Sequence, residues 1–380
     1  MNATFLRKSG PYSIVPVIIL TALLFFSCEE EPVSPNSGDD NQEKDTTKTE
    51  QTWSIPQEHI YDGGPGKDGI PALTHPEFVS INRGNFLDPG DLVVGVKFGD
   101  QIHAYPHEIL DWHEIVNDTI AGKEVSVTYC PLTGSALGWH RTFDGSATTF
   151  GVSGLLYNNN LIPYDRSTDS HWSQMKMKAV EGEMKGKSAD LFRIVETTWD
   201  TWKEMYPSTK VLSRDTEYNR PYGRYPYGDY KTNHSAIYFP VTHKDERLPA
   251  KTRVLGLLAE GDLTTRLAFQ VSEFPDSTHV MNLDYDNSDP YVVIGNRAKS
   301  FAVSYRSQIR GEDETLKFEA IQGELPVVMK DQNGTEWTIF GRAVSGPDTG
   351  KELKIARSYI AYWFAWAAFY RGSSIQSISN

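Results

Sequence analysis

At 380 residues the chain is long enough to bury a full core, and its length alone suits about two domains of ordinary size. Hydrophobic residues at 39% and charged residues at 23% place it among globular proteins, and an aromatic share of 12% suits a body made mainly of strands. The formal net charge of -13 removes the basic face that binding to a phosphate backbone needs, so nucleic acid is excluded as a partner.

In chain order, residues 1–28 read as an export signal. Arg7 and Lys8 give the positive start, and Ile14 to Phe26 is apolar apart from Pro16 and Thr21. The run is short for a bilayer span. Leu24-Phe25-Phe26-Ser27-Cys28 resembles a lipobox, with Cys28 as the acylated residue, although Phe26 is bulkier than usual there. The reading is a lipoprotein of the cell envelope, held in the outer membrane through its lipid and facing the periplasm or the cell surface. Residues 29–52, opening on Glu29-Glu30-Glu31, are acidic and polar with little to bury, and are expected to form a disordered tether. Once Cys28 carries the lipid, Cys130 is the sole remaining cysteine, so the mature body has no internal disulfide.

The body carries self-similarity at an offset near 165. Val127 through Arg141 lines up with Val292 through Arg306. Asp165 before Trp172 answers Asp331 before Trp337, and Trp199-Asp200-Thr201-Trp202 answers Trp363-Phe364-Ala365-Trp366. A duplication is therefore expected: a first copy over 53–212, a connector over 213–250 and a second copy over 251–380. Strands are predicted at Leu92 to Phe98, Glu124 to Tyr129, Ala136 to Thr142, Thr148 to Ser153 and Asn160 to Tyr164, where β-branched and aromatic runs end at turn residues. Helical patterns are confined to Pro106 to Trp112, Thr197 to Tyr206 and Ser358 to Phe369. The fold class is a β-rich α+β body, two pseudo-symmetric copies of a mostly antiparallel unit with a few short helices.

Several runs together carry a family resemblance. Trp112-His113-Glu114-Ile115-Val116-Asn117-Asp118, Tyr129-Cys130-Pro131-Leu132-Thr133-Gly134, Phe150-Gly151-Val152-Ser153-Gly154, Tyr164-Asp165-Arg166 and Trp172-Ser173-Gln174 resemble the DUF3179 family over residue 60 to the C-terminus. The resemblance implies homology without supplying a reaction. Some relatives carry a second Cys where this chain has Thr133, so a redox pair of cysteines is ruled out here. His171 stands where the family more often has an apolar residue.

Features present in one copy alone are the better candidates for function. Cys130 has Gly295 opposite it, and His113-Glu114 has no counterpart at Ser277-Thr278. A thiol at a strand end with an imidazole near it makes a nucleophile or a ligand set for copper or zinc. In that reading Cys130 and His113 form the centre, Glu114 orients the imidazole or ligates, and Arg166, unique to the first copy, joins them. Free cysteines are also commonly buried as small apolar groups, and the core reading of Cys130 stands open beside the catalytic one. The alternative is a binding or scaffolding lipoprotein that holds a glycan, peptide or envelope partner in an aromatic groove between the copies; whether the protein's partner is a small molecule, a glycan or a protein stays open. Trp172, Gln174 and Asp165 would line it, although Asp165 suits a fold-level brace, since Asp331 repeats it. Gly151-Val152-Ser153-Gly154 lacks the glycine spacing of a hydrolase elbow because Leu155 follows.

Overall fold

The computed structural model describes residues 52–259, 265–284 and 289–378. The expected signal, Cys28 and nearly all of the tether lie outside the described residues. Among those described, no helix is long and apolar enough to cross a membrane.

The body is β-rich and mostly antiparallel, with three seven-residue α-helices among the described residues: α1 His107–His113, α2 Trp199–Met205 and α3 Trp363–Phe369. Three five-stranded sheets and a two-stranded hairpin, Thr142–Phe143 with Ser146–Ala147, make the first half. One runs in the spatial order Val195–Thr198, Leu92–Phe98, Gln101–Pro106, Lys210–Leu212, Phe78–Ser80, with Lys210–Leu212 parallel to its neighbour Gln101–Pro106. The second is Asp190–Phe192, Ser135–His140, Lys123–Cys130, Ile115–Ile120, Leu73–Thr74. The third is Ile60–Asp62, Phe150–Tyr157, Asn160–Asp165, His171–Ser173, Lys178–Glu181.

The second half has three four-stranded sheets. Arg357–Tyr362, Arg253–Leu258, Arg266–Gln270, Ser374–Gln376 again carries a parallel strand as its fourth member. His279–Leu283, Tyr291–Asn296, Phe301–Ile309, Leu353–Ile355 and Phe318–Ala320, Val327–Asp331, Glu336–Thr338, Ala343–Ser345 complete it. Local devices match as well. The Trp202 ring fills the space above Gly95, where a Cβ would lie 2.1 Å from it, and Trp366 does the same above Gly256 at 2.2 Å. Each indole then donates to a hydroxyl seven residues on, Trp202 to Thr209 and Trp366 to Ser373, both at 3.0 Å.

Packing between the halves is reciprocal. Trp363 and Trp366 of α3 enter a core with Cys130, Trp139, Phe150 and Trp172 of the first half. Trp199 and Trp202 of α2 enter a core with Val292, Phe301 and Trp337 of the second. Arg193 reaches across, donating to the carbonyls of Ser304, Ala356 and Ser358. Beside Gly138, Arg193 and Tyr359 this packing leaves a space of about 30 Å³.

Element boundaries differ from expectation in one place of consequence. Arg357–Tyr362 is a strand paired along its length with Arg253–Leu258, and only Trp363–Phe369 is helical. The run from Tyr359 is apolar on every side, so periodicity alone does not separate a buried strand from a buried helix. The connector forms neither strand nor helix between Leu212 and Arg253. It lies as a strap across the first half.

Candidate functional site

α1 begins after Pro106, which fixes an extended entry, and stops at Glu114. Glu114 stands at φ 57, ψ −32, a left-handed backbone that costs a non-glycine residue on the order of 1–3 kcal/mol. Two main-chain hydrogen bonds hold it there: its N–H donates to Leu110 O at 2.8 Å, and its carbonyl accepts from Tyr129 N at 2.6 Å. The turn swings the Glu114 carboxyl into the interior next to the strand Lys123–Cys130. Its residue is buried, and removal from water pushes its pKa up from 4.5 to about 8, against a lowering hydrogen bond from Tyr227 and with a raising contribution from Asp111. At neutral pH the carboxyl is therefore mainly protonated.

Glu114 lines a cavity of about 470 Å³ between the first half and the strap. The walls are mostly apolar: Leu132, Val152 and Leu161 from the sheets, Tyr227, Tyr238 and Phe239 from the strap. Strap and sheets are tied by specific bonds. Tyr230 donates to Leu132 O at 3.0 Å, Trp112 Nε1 to Arg224 O at 3.1 Å, and Asn159 exchanges two hydrogen bonds with Phe239 at 2.7 and 2.9 Å.

The outer wall is the loop containing Gly63, Pro65, Gly69 and Ile70. The glycine motif of Phe150–Tyr157 receives this loop. At Gly154, φ 82, a Cβ would lie 2.7 Å from the Gly66 backbone, so only glycine admits both the conformation and the approach. Arg166 clamps the loop from the other side, donating to Asp68 Oδ1 at 2.7 Å and to Phe150 O at 3.0 Å, while Tyr164 donates to Asp68 Oδ2. Ser153 spends its hydroxyl on Ile162 O and on Leu155 N, which makes it a brace of the strand irregularity.

Cys130 and His113 are not brought into hydrogen bond with each other. His113 is buried with both ring nitrogens engaged, Nδ1 with Pro71 O at 2.7 Å and Nε2 with the Tyr222 hydroxyl at 2.5 Å. Burial, with Arg220 adding to it against the Pro71 bond, brings its pKa down to about 4, so the ring is neutral and staples the strap to the loop before Leu73. Cys130 is 1% exposed, and its thiol donates to Asn159 O at 3.5 Å. Burial, then the charge of Glu114, pushes the thiol up to about 11, the reverse of what a reactive thiolate requires. Among the described residues no group of three or more His, Cys, Asp or Glu side chains is disposed to hold a metal ion.

The expected ligand platform is core. Trp172 is fully buried against Trp139, Phe143 and Phe150, and its indole donates to Asp165 at 3.1 Å. Asp165 also accepts from Ser167 and Thr168, as Asp331 accepts from Asn333, Thr335 and Trp337, which is the brace. Gln174 joins Thr128, Ser135 and Asn160 in a buried, fully bonded network behind Cys130, with Thr133 on its edge. Aromatic and amide side chains in these motifs satisfy one another, leaving none of them facing a cavity.

These braces account for the long motifs that the sequence carries. The family described as a protein of unknown function, DUF3179, matches residues 67–373. The chain belongs to the DUF3179 family. No curated protein and no solved structure matches it significantly. Read on the structure, the DUF3179 motifs divide into a buried scaffold (Asp165, Trp172, Gln174, Cys130) and a cavity edge (Trp112, Glu114, Val152, Gly154). Sequence reasoning did not find Asp111, Arg220 and Tyr227 of the cavity. Asp111 had a signal, an acid one helical turn before Glu114; the strap residues had none, because only the fold brings them to α1.

Proposed function

We propose that this chain is an exported lipoprotein whose first half holds a small, largely apolar organic ligand in the cavity under the strap, with Glu114 as the group that donates or accepts a proton. One observation carries the reading. A carboxyl held in a left-handed turn, buried, with its pKa pushed up to about 8, opens onto a mainly apolar cavity of about 470 Å³. Proteins retain backbone strain and displaced pKa values chiefly where they are used. The volume lies within the range of small-molecule sites.

In this reading Glu114 meets the polar end of the ligand, and Tyr227 holds the carboxyl in place. Arg166 positions the loop that closes the cavity, and the neutral Cys130 thiol is part of the wall behind. The matching strand orders support reading the halves as copies of which the second has kept the scaffold. Export and anchoring rest on the residue pattern up to Cys28, and Cys28→Ala is expected to move the protein from the membrane to the soluble fraction.

The test of the site is saturable binding of the neutral fluorescent probe N-phenylnaphthylamine, followed against pH. Affinity should fall as pH rises through about 8, because ionised Glu114 places a charge in an apolar cavity, and Glu114→Gln should abolish that dependence. Absence of saturable binding, or an unchanged pH profile in Glu114→Gln, contradicts the proposal.

A further inference from the structure

On the other face of Asp111 lies a second cavity, of about 450 Å³, with a character opposite to the first. Its walls are charged, and three of the acids are paired with bases, while Asp88 and Asp91 also line it. Arg214 grips Glu108 through two bonds, Nε to Oε1 at 2.6 Å and Nη2 to Oε2 at 2.5 Å. Lys231 meets Asp111 Oδ2 at 2.8 Å, and Arg253 meets Glu196 Oε1. After pairing, hydrogen-bonding capacity is left over. Asp111 Oδ1 is buried without a donor, whereas Glu196 Oε2 lies 3.2 Å from His107 Nε2. A buried carboxylate oxygen without a donor is costly, and a bound donor recovers that cost.

We propose that this cavity binds a polyhydroxylated ligand, a saccharide unit. Hydroxyl groups donate to the vacant Asp111 oxygen, which a fully ionised inorganic anion does not do. The same hydroxyls accept from Arg224, which lines the cavity and has no side-chain partner among the described residues, and which a simple ammonium does not serve. A neutral ligand also leaves the three ion pairs undisturbed. The rings of Tyr225 and Tyr362 in the same wall offer flat apolar surface to the C–H faces of a sugar. Glu114 lines the other cavity and makes no contact in this one.

The experiment is calorimetric titration of the full chain with glucose, N-acetylglucosamine and maltose, with putrescine and inorganic phosphate as controls. At least one saccharide is expected to bind saturably. Asp111→Asn, whose amide keeps one acceptor oxygen where the carboxylate has two, should weaken it at least about tenfold. Arg224 is exposed, so Arg224→Ala keeps the fold and should weaken binding several-fold; thermal melts of both variants report folding. Binding by none of the three saccharides overturns the proposal. So does equal affinity in both variants, or binding of putrescine or phosphate alone.

Discussion

The links that follow Gln101–Pro106 in the first half and Arg266–Gln270 in the second differ sharply. The first is a full helix, α1, that ends in the strained Glu114 and leaves cavities on both sides of Asp111. The second is a single 3-10 turn, Val271–Glu273, after which the Phe274 ring fills the space above Gly295, where a Cβ would lie 2.4 Å from it. Both halves stack sheets of the same order, so the difference lies in a few residues at one link and in the strap that covers it. Where the second half packs an aromatic ring, the first keeps a buried acid and open volume.

The largest effect expected from this contrast is on stability in the second half. Phe274→Ala should cost about 3–5 kcal/mol in denaturant unfolding, as a cavity left by a buried ring does, while leaving probe affinity of the folded protein unchanged. Loss of probe binding there would show that the second half takes part in the site.

A second effect is the pH dependence of stability, in which Glu114 and His113 act with opposite sign. Glu114 has its folded pKa raised from 4.5 to about 8, so its contribution is full below 4.5 and is lost as pH rises to about 8. His113 has its folded pKa lowered from 6.5 to about 4, so its contribution is full above 6.5 and is lost as pH falls to about 4. Thermal melts of Glu114→Gln should show a flatter decline on the alkaline side and an unaltered loss on the acid side. Two limbs that change together would mean that the pair is coupled through the strap.

Smaller effects separate the thiol from the cavity. Cys130 should react with a thiol reagent only at the rate of unfolding, so that mild denaturant accelerates labelling steeply; fast labelling of the native protein would revive a reactive-cysteine centre. Arg166→Ala removes a partly exposed clamp on the Gly63–Gly69 loop. About 0.5–1 kcal/mol of stability and a few-fold of probe affinity are the expected losses.

Much of the framework was legible from residues alone. Leu92–Phe98 is bounded to the residue because Asp91 and Gly99 close a β-branched, apolar run, and Thr198 marks the start of α2 as an N-cap, accepting from Thr201 N. The site was less legible. Cys130 and His113 invited pairing, yet the carbonyl of Pro71 and the hydroxyl of Tyr222, 42 and 109 residues away, occupy the imidazole. Glu114 was read as an accessory to that imidazole, because its left-handed turn and its burial arise only when the strand Lys123–Cys130 and the strap close over it. Trp172 and Gln174 resembled a ligand platform for a similar reason: a buried, mutually bonded cluster has the same composition as a polar cleft, and only the packing of α3 against it decides which one forms.

The most direct test is the titration of Glu114 itself, by carbon-13 NMR of labelled glutamate carboxyls in the wild type and in Glu114→Gln. One resonance absent from the variant should titrate with a midpoint near 8. A midpoint in the ordinary glutamate range, about 4–5, would mean that the carboxyl is ionised and hydrated at neutral pH, and the acid–base site proposed here would not exist.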